Sequence, residues 1–122
     1  MNKVLLVVDD NRVSRLLPGF ILHPFSEQIA VFECERGSEA LQFLETQSVS
    51  HVLLDISMPD FDGIEVAKAI GETSKSHDMR VIAYTADARA IDGDYLKSMG
   101  FDAILLKPLK SEDLLRALDL SL

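Results

Sequence analysis

A single cysteine, Cys34, excludes a disulfide framework and a cluster of thiolate metal ligands. It closes an apolar run, where a cysteine behaves as a small buried hydrophobe. The three histidines, His23, His51 and His77, fall in or beside predicted loops, away from the carboxyl ends of the predicted strands. That placement argues against a zinc site or a histidine-type general base. No stretch is uniformly apolar over the ~18 residues that a membrane span needs. The N-terminal M-N-K-V-L-L-V-V-D-D has too short an apolar stretch for a signal sequence and runs straight into acids, so a cytoplasmic protein with no membrane partner is expected. Basic side chains are scarce, 12 Lys and Arg against 20 Asp and Glu, for a formal charge of −8. With no basic stripe to neutralise phosphates, direct nucleic-acid binding is not expected, and a cation or a complementary protein face is the better partner. Internal repeats, low-complexity tracts and linker-like segments are absent, so the chain reads as one domain, 1–122.

What is present is a series of short apolar runs at residues 4–8, 29–34, 52–54, 81–84 and 103–106, separated by segments of helical length. Strands alternating with helices imply right-handed strand–helix–strand units and a parallel sheet covered on both faces. The runs at 4–8, 52–54 and 81–84 are nearly continuous, as strands buried on both faces should be, whereas I-A-V-F-E-C-E is interrupted by acids and suits an edge. Asp62 followed by Glu65 is a capping box opening a helix over 64–70, with Ile64, Ala67 and Ile70 inward. Ser38 is expected to cap a helix over 39–45 that buries Ala40, Leu41 and Leu44, and Ser111 to cap the last helix on Leu114, Leu115 and Leu118. Asp92-Gly93 should leave the helix at 91–99 short or weak. The first helix, from about Arg12, should kink or end at Pro18-Gly19. The fold class is therefore α/β, a three-layer doubly wound (βα)5 sandwich with a ligand crevice at the strand carboxyl ends.

Asp9 and Asp10 end the first apolar run and Asp55 ends the third. In a 2-1-3-4-5 strand order those ends flank the switch point, and three carboxylates share one crevice. Two carboxylates ~5 Å apart repel by about 3 kcal/mol at an effective dielectric near 20, so the cluster needs a cation. All-oxygen ligands that leave room for water suit Mg²⁺. Thr85 ends the fourth run and Lys107 follows the fifth, adding a hydroxyl and an ammonium. A carboxylate nucleophile, a metal and two phosphate-facing donors form a site for phosphoryl transfer.

Asp9-Asp10-Asn11, Asp55 with Met58-Pro59 and Asp62-Gly63, Thr85-Ala86, and Gly100 ahead of Lys107-Pro108 occur in order along essentially the whole chain. In these motifs it resembles a response-regulator receiver domain of two-component signalling. The resemblance implies the flavodoxin-like order 2-1-3-4-5, which chemotaxis regulators of that family share. It also implies Asp55 as phosphoacceptor, receiving a phosphoryl group from the phosphohistidine of a histidine kinase or histidine phosphotransfer domain. Asp10, Asp55 and the backbone carbonyl of Ser57 would hold Mg²⁺, with Asp9 acting mainly through bound water. Lys107 would pair with the acyl phosphate and Thr85 would hydrogen-bond it, drawing in the loop at Ala86. That movement would reshape the face formed by the fourth helix, fifth strand and fifth helix. Arg12, Val13 and Arg15, with Pro108 and Leu109, would form the docking and switch surface, and the Lys107–Pro108 bond would be cis.

Two departures from the family pattern stand out. Ile104 occupies the position, three before Lys107-Pro108, where the family usually carries an inward-turning aromatic ring, so a weaker or different switch is expected. Pro18 should interrupt the docking helix. Tyr84, next to Thr85 but facing the other side of its strand, reads as core packing. Two rival functions would place different residues at these positions. A Mg²⁺-dependent aspartyl phosphatase would carry a second acid two residues after Asp55, where Ser57 stands. An unphosphorylated interaction module would usually lack the nucleophile, an acid or the lysine, and all three are present. With no output domain after Leu122, a free-standing regulator and a receiver cut from a larger protein such as a hybrid kinase both stay open, and the downstream output is unknown.

Overall fold

The computed structural model describes residues 3–56, 63–74, 79–86, 93–98 and 100–120. Strands and helices alternate among those residues as β1 (Lys3–Val8), α1 (Arg12–Leu22), β2 (Ile29–Cys34), α2 (Gly37–Thr46), β3 (His51–Asp55), α3 (Gly63–Ser74), β4 (Arg80–Thr85), α4 (Gly93–Ser98), β5 (Ala103–Leu106) and α5 (Ser111–Ala117), with a 3-10 turn at His23–Phe25. The strands form one parallel sheet in the order β2-β1-β3-β4-β5. All five residues of β3, and all of β4 except Arg80, are buried, so the unbroken apolar runs mark strands covered on both faces. The acid-interrupted second run is an edge strand, as its pattern predicts, with Ala30, Phe32 and Glu33 exposed.

Because successive strand residues point to opposite faces, the core divides in two. Leu6, Val8, Val52, Leu54, Val81 and Ala83 pack with Ala40 of α2 and Val66 and Ile70 of α3. On the other face Leu5, Val7, Leu53, Ile82, Tyr84 and Leu105 pack with Leu22 of α1 and Leu114 and Leu118 of α5. The two layers hold the sheet rigid and bring the carboxyl ends of β1, β3, β4 and β5 to one edge.

Several local expectations need correction. Pro18 does not end α1, which runs on to Leu22. The ring is buried, and Leu17, Ile21 and Leu22 dock on the sheet on either side of it, so packing offsets the roughly 3 kcal/mol that an interior proline costs. Neither serine is a helix cap: Arg36 and Lys110 stand at the N-cap positions of α2 and α5, where neither side chain makes a capping hydrogen bond, and Ser38 and Ser111 lie inside those helices. At α2 the Glu39 carboxylate instead accepts the Glu35 N–H at 3.2 Å. His51, beside the 47–50 loop as expected, is the buried first residue of β3, with Nδ1 2.8 Å from Ser50 Oγ. Burial lowers its basicity, aided by nearby Lys3 and Arg80. Cys34 is buried at the end of β2, and burial, with the Glu39 charge, pushes its thiol up to about 11. The Asp62 cap and His77 lie outside the described residues, as do the side chains of Ile64 and Ala67.

Candidate functional site

The β1–β3 register pairs Val8 with Leu54, so Asp9 and Asp55 come level one residue further on. Asp55 in turn pairs with Tyr84, and Tyr84 with Leu105. Two residues beyond Leu105, Lys107 returns to the same face of the sheet. Strand parity alone thus delivers Asp9, Asp55, Tyr84 and Lys107 to one side of the sheet edge, with Thr85 on the other.

Carboxylate oxygens of Asp9, Asp10 and Asp55 all lie within 4.8 Å of one another. Asp9 and Asp55 are buried and Asp10 is exposed, so the cluster opens to solvent on one side. Lys107 Nζ is 2.9 Å from Asp9 Oδ2 and 3.5 Å from Asp55 Oδ2. Asp9 Oδ1 accepts the Asn11 N–H at 2.9 Å, and Asn11 Oδ1 accepts the Ser14 N–H to cap α1, which anchors the β1–α1 turn. Asp9 Oδ2 has Lys107 at ion-pair distance but no directed hydrogen bond, although it is buried. Burial raises the Asp9 carboxyl above its ordinary value of 3.8, and the Asp55 charge adds to that; the Asn11 N–H and Lys107 act the other way. One ammonium against three carboxylates leaves a charge of −2 and a buried oxygen without a directed donor, a donor set that fits a hard divalent cation.

Thr85 ends β4, only 6% exposed, and its carbonyl accepts the Lys107 N–H at 2.7 Å. Ala86 and Pro108 are exposed, Ile104 is half-buried, and the Lys107–Pro108 peptide bond is cis. Ser57 lies outside the described residues, together with the rest of 57–62. Leu109 is not on the surface: it packs with Leu105, Leu114 and Leu118, where burial of its apolar side chain is worth more than exposure. Arg12 and Val13 are exposed on α1 as expected. Arg15 is turned inward instead. Its Nη1 donates to the Asp9 carbonyl at 3.2 Å, and its guanidinium pairs with Glu33 (3.6 Å) and Glu35 (3.3 Å). The planar fork thereby ties α1 to the end of β1, to β2 at Glu33 and to the turn after it at Glu35.

One residue of the site escaped the reading of the sequence. The Tyr84 ring is core, as expected, but it also lies beneath Lys107 Nζ, 4.8 Å from the ring centroid. Burial, with the Asp9 and Asp55 charges, pushes its phenol up to about 12. The signal was available in the parity of the strands, since Tyr84 shares a face with Asp55 and with the residue two before Lys107.

An acidic, lysine-bearing crevice at the switch point of a 2-1-3-4-5 sheet is the arrangement of a receiver-type signalling domain. The chain belongs to the response regulator receiver domain family, which it matches over residues 5–119. It is 31% identical over 109 residues to the signal transduction histidine-protein kinase BarA of Escherichia coli, covering 89% of this chain but 12% of that protein. It is 34% identical over 112 residues to an uncharacterised 14.6 kDa protein of Leptolyngbya boryana, covering 92% of this chain and 84% of that one. The receiver domain of sensor histidine kinase PA1611 from Pseudomonas aeruginosa, solved with a magnesium ion in its active-site cleft, superposes with a TM-score of 0.80 at 26% identity, over 98% of this chain and 96% of that one. The module works in phosphorelay signal transduction. Among the described residues no helix is long and apolar enough to cross a membrane.

Proposed function

We propose that Asp55 is the phosphoacceptor of this receiver and that it takes its phosphoryl group from a phosphohistidine on a histidine kinase or phosphotransfer domain in the cytoplasm. The convergence of Asp9, Asp10 and Asp55 on the Lys107 ammonium carries this reading. Attack by an Asp55 carboxylate oxygen forms a P–O bond while the P–N bond of the donor breaks, its electron pair returning to the imidazole. Asp10, Asp55 and the Ser57 carbonyl would hold Mg²⁺, with Asp9 acting through its bound water. Bound there, the ion would neutralise charge on the transferring phosphoryl oxygens. Lys107 follows the charge onto the acyl phosphate, and Thr85 hydrogen-bonds it. Self-phosphorylation by small donors, and slow hydrolysis of the acyl phosphate, belong to the same site.

The exposed side of α1 fits the docking role. Arg12, Val13 (75% exposed), Leu16 (41%) and Phe20 (85%) are exposed along it, the last three at i, i+3 and i+7. The continuation of α1 past Pro18 keeps this stripe unbroken. As a test, the protein is incubated with acetyl phosphate with and without Mg²⁺ and weighed intact. A gain of one phosphoryl group with Mg²⁺ is expected, and no gain in its presence would overturn the assignment.

The output face should respond weakly. Ile104 packs beside Ala83 and lines, with Leu106, Asp113 and Arg116, a groove of about 400 Å³ against α5. It has no ring to swing into space released near Thr85. On addition of a phosphate mimic, backbone resonances of β5 and α4 are expected to move little beside those at Asp55. Comparable shifts at both would show that another group carries the switch.

A further inference from the structure

Among the described residues Lys107 Nζ lies near Asp9 Oδ2 at 2.9 Å, Asp55 Oδ2 at 3.5 Å and the Tyr84 ring, whose centroid is 4.8 Å away. The two carboxylates are unreliable anchors during the reaction. Asp55 changes identity when it becomes an acyl phosphate, and Asp9 is drawn toward any cation entering the cluster. The ring is different in kind. Its attraction for an ammonium comes from the quadrupole of the π face, which does not change with the charge state of the acids. Its position is also fixed, because Tyr84 is 1% exposed and belongs to the core layer beneath α1 and α5. A lysine has a flexible four-carbon stem and loses rotamer freedom when it must meet a phosphate in one place, so a rigid platform lowers that loss at the moment of transfer.

We propose that Tyr84 is a positioning residue for phosphoryl transfer, its ring face holding the Lys107 ammonium over the crevice while the carboxylates exchange their partners. This rests on Lys107 being the cation that meets the acyl phosphate. The aromatic ring is the required feature and the hydroxyl is not. Tyr84→Phe keeps the face, whereas Tyr84→Leu keeps apolar bulk without it. The contact is desolvated on the ring side, where cation–π attraction is strongest, so loss of the face is expected to slow phosphorylation about tenfold.

The experiment measures the rate of mass gain with acetyl phosphate and saturating Mg²⁺ for the wild type, Tyr84→Phe and Tyr84→Leu. The two substitutions at Tyr84 are also made in a Lys107→Ala background. In the wild type and in Tyr84→Phe, the Lys107 ε-methylene protons are observed by NMR. We expect Tyr84→Phe to retain the wild-type rate and Tyr84→Leu to lose about tenfold, with no further loss when Lys107 is already absent. The ε-methylene protons should resonate upfield of an ordinary lysine, from the ring current, in the wild type and in Tyr84→Phe. A Tyr84→Leu rate equal to wild type would overturn the proposal. So would an equal slowing with and without Lys107, or a Tyr84→Phe rate as low as that of Tyr84→Leu. Ordinary ε-methylene shifts in the wild type would overturn it even if Tyr84→Leu failed to fold. A wild type that gains no phosphoryl group is a separate outcome: it refutes the phosphoacceptor reading and the proposal with it, whereas the other results refute the proposal alone.

Discussion

Asp55→Asn is expected to abolish phosphoryl gain from any donor while leaving the protein at least as heat-stable as the wild type without metal. The first half follows from chemistry, because an amide oxygen is a far weaker nucleophile than a carboxylate and the product would not be a stable acyl phosphate. The second half follows from weighing charges at the site. At an effective dielectric near 20, Asp9 at up to 4.8 Å repels Asp55 by about 3.5 kcal/mol, and Lys107 at 3.5 Å attracts it by about 4.7 kcal/mol. Asp10 is exposed, so its repulsion is screened and smaller. Among the described charges these terms nearly cancel, and burying a carboxylate only 2% exposed costs more than burying the neutral amide. Lys107 keeps its 2.9 Å partner in Asp9. Intact-mass measurement and a thermal melt in chelator, on the same sample, test both halves. A melting temperature several degrees below wild type would mean that the Asp55 charge is a net structural asset. Residual phosphorylation would mean that a different residue is the acceptor.

The parts of the fold most legible in the sequence are those whose surroundings leave one solution. A strand buried on both faces must be apolar throughout, so the run at 52–54 is the middle of β3 and that at 81–84 fills β4 between Arg80 and Thr85. The acids at the strand ends are legible for the opposite reason, since a buried carboxylate is too costly to occur there without a partner. What stayed hidden depends on long-range packing. Arg15 looks like a solvated helix residue until Glu33, Glu35 and the Asp9 carbonyl, brought beside α1 by the pairing of β1 and β2, turn it inward. Leu109 follows an exposed proline, and only its placement under α5 makes it core. Pro18 breaks a helix by local rules, but the cost falls within what the buried face of α1 returns. Tyr84 needed two strand registers at once, β3–β4 and β4–β5, before its ring could be placed against Lys107.

The second large effect is on stability. With its carboxyl raised above 3.8, Asp9 binds a proton more tightly in the folded chain than in the unfolded one. Its contribution therefore favours folding fully below pH 3.8 and is lost as the pH rises through the folded value, so at neutral pH its charge opposes folding. A divalent cation removes that opposition by binding only the folded cluster, and it stabilises by RT ln(1 + [Mg²⁺]/Kd), about 2.7 kcal/mol at one hundred times Kd. For a domain of this size, at about 4 °C per kcal/mol, the melting temperature should rise by roughly 10 °C. Replacing Asp10 by Asn removes one carboxylate of the cluster without touching the core, since that side chain is exposed. The Asp10→Asn protein should melt no lower than wild type in chelator, yet gain much less on adding the same Mg²⁺. A monovalent salt at equal ionic strength should reproduce little of the wild-type gain, because screening acts weakly on the buried pair of Asp9 and Asp55. Equal gains in wild type and Asp10→Asn would place the cation elsewhere on an acidic surface, and an equal gain from the monovalent salt would reduce the effect to general charge screening.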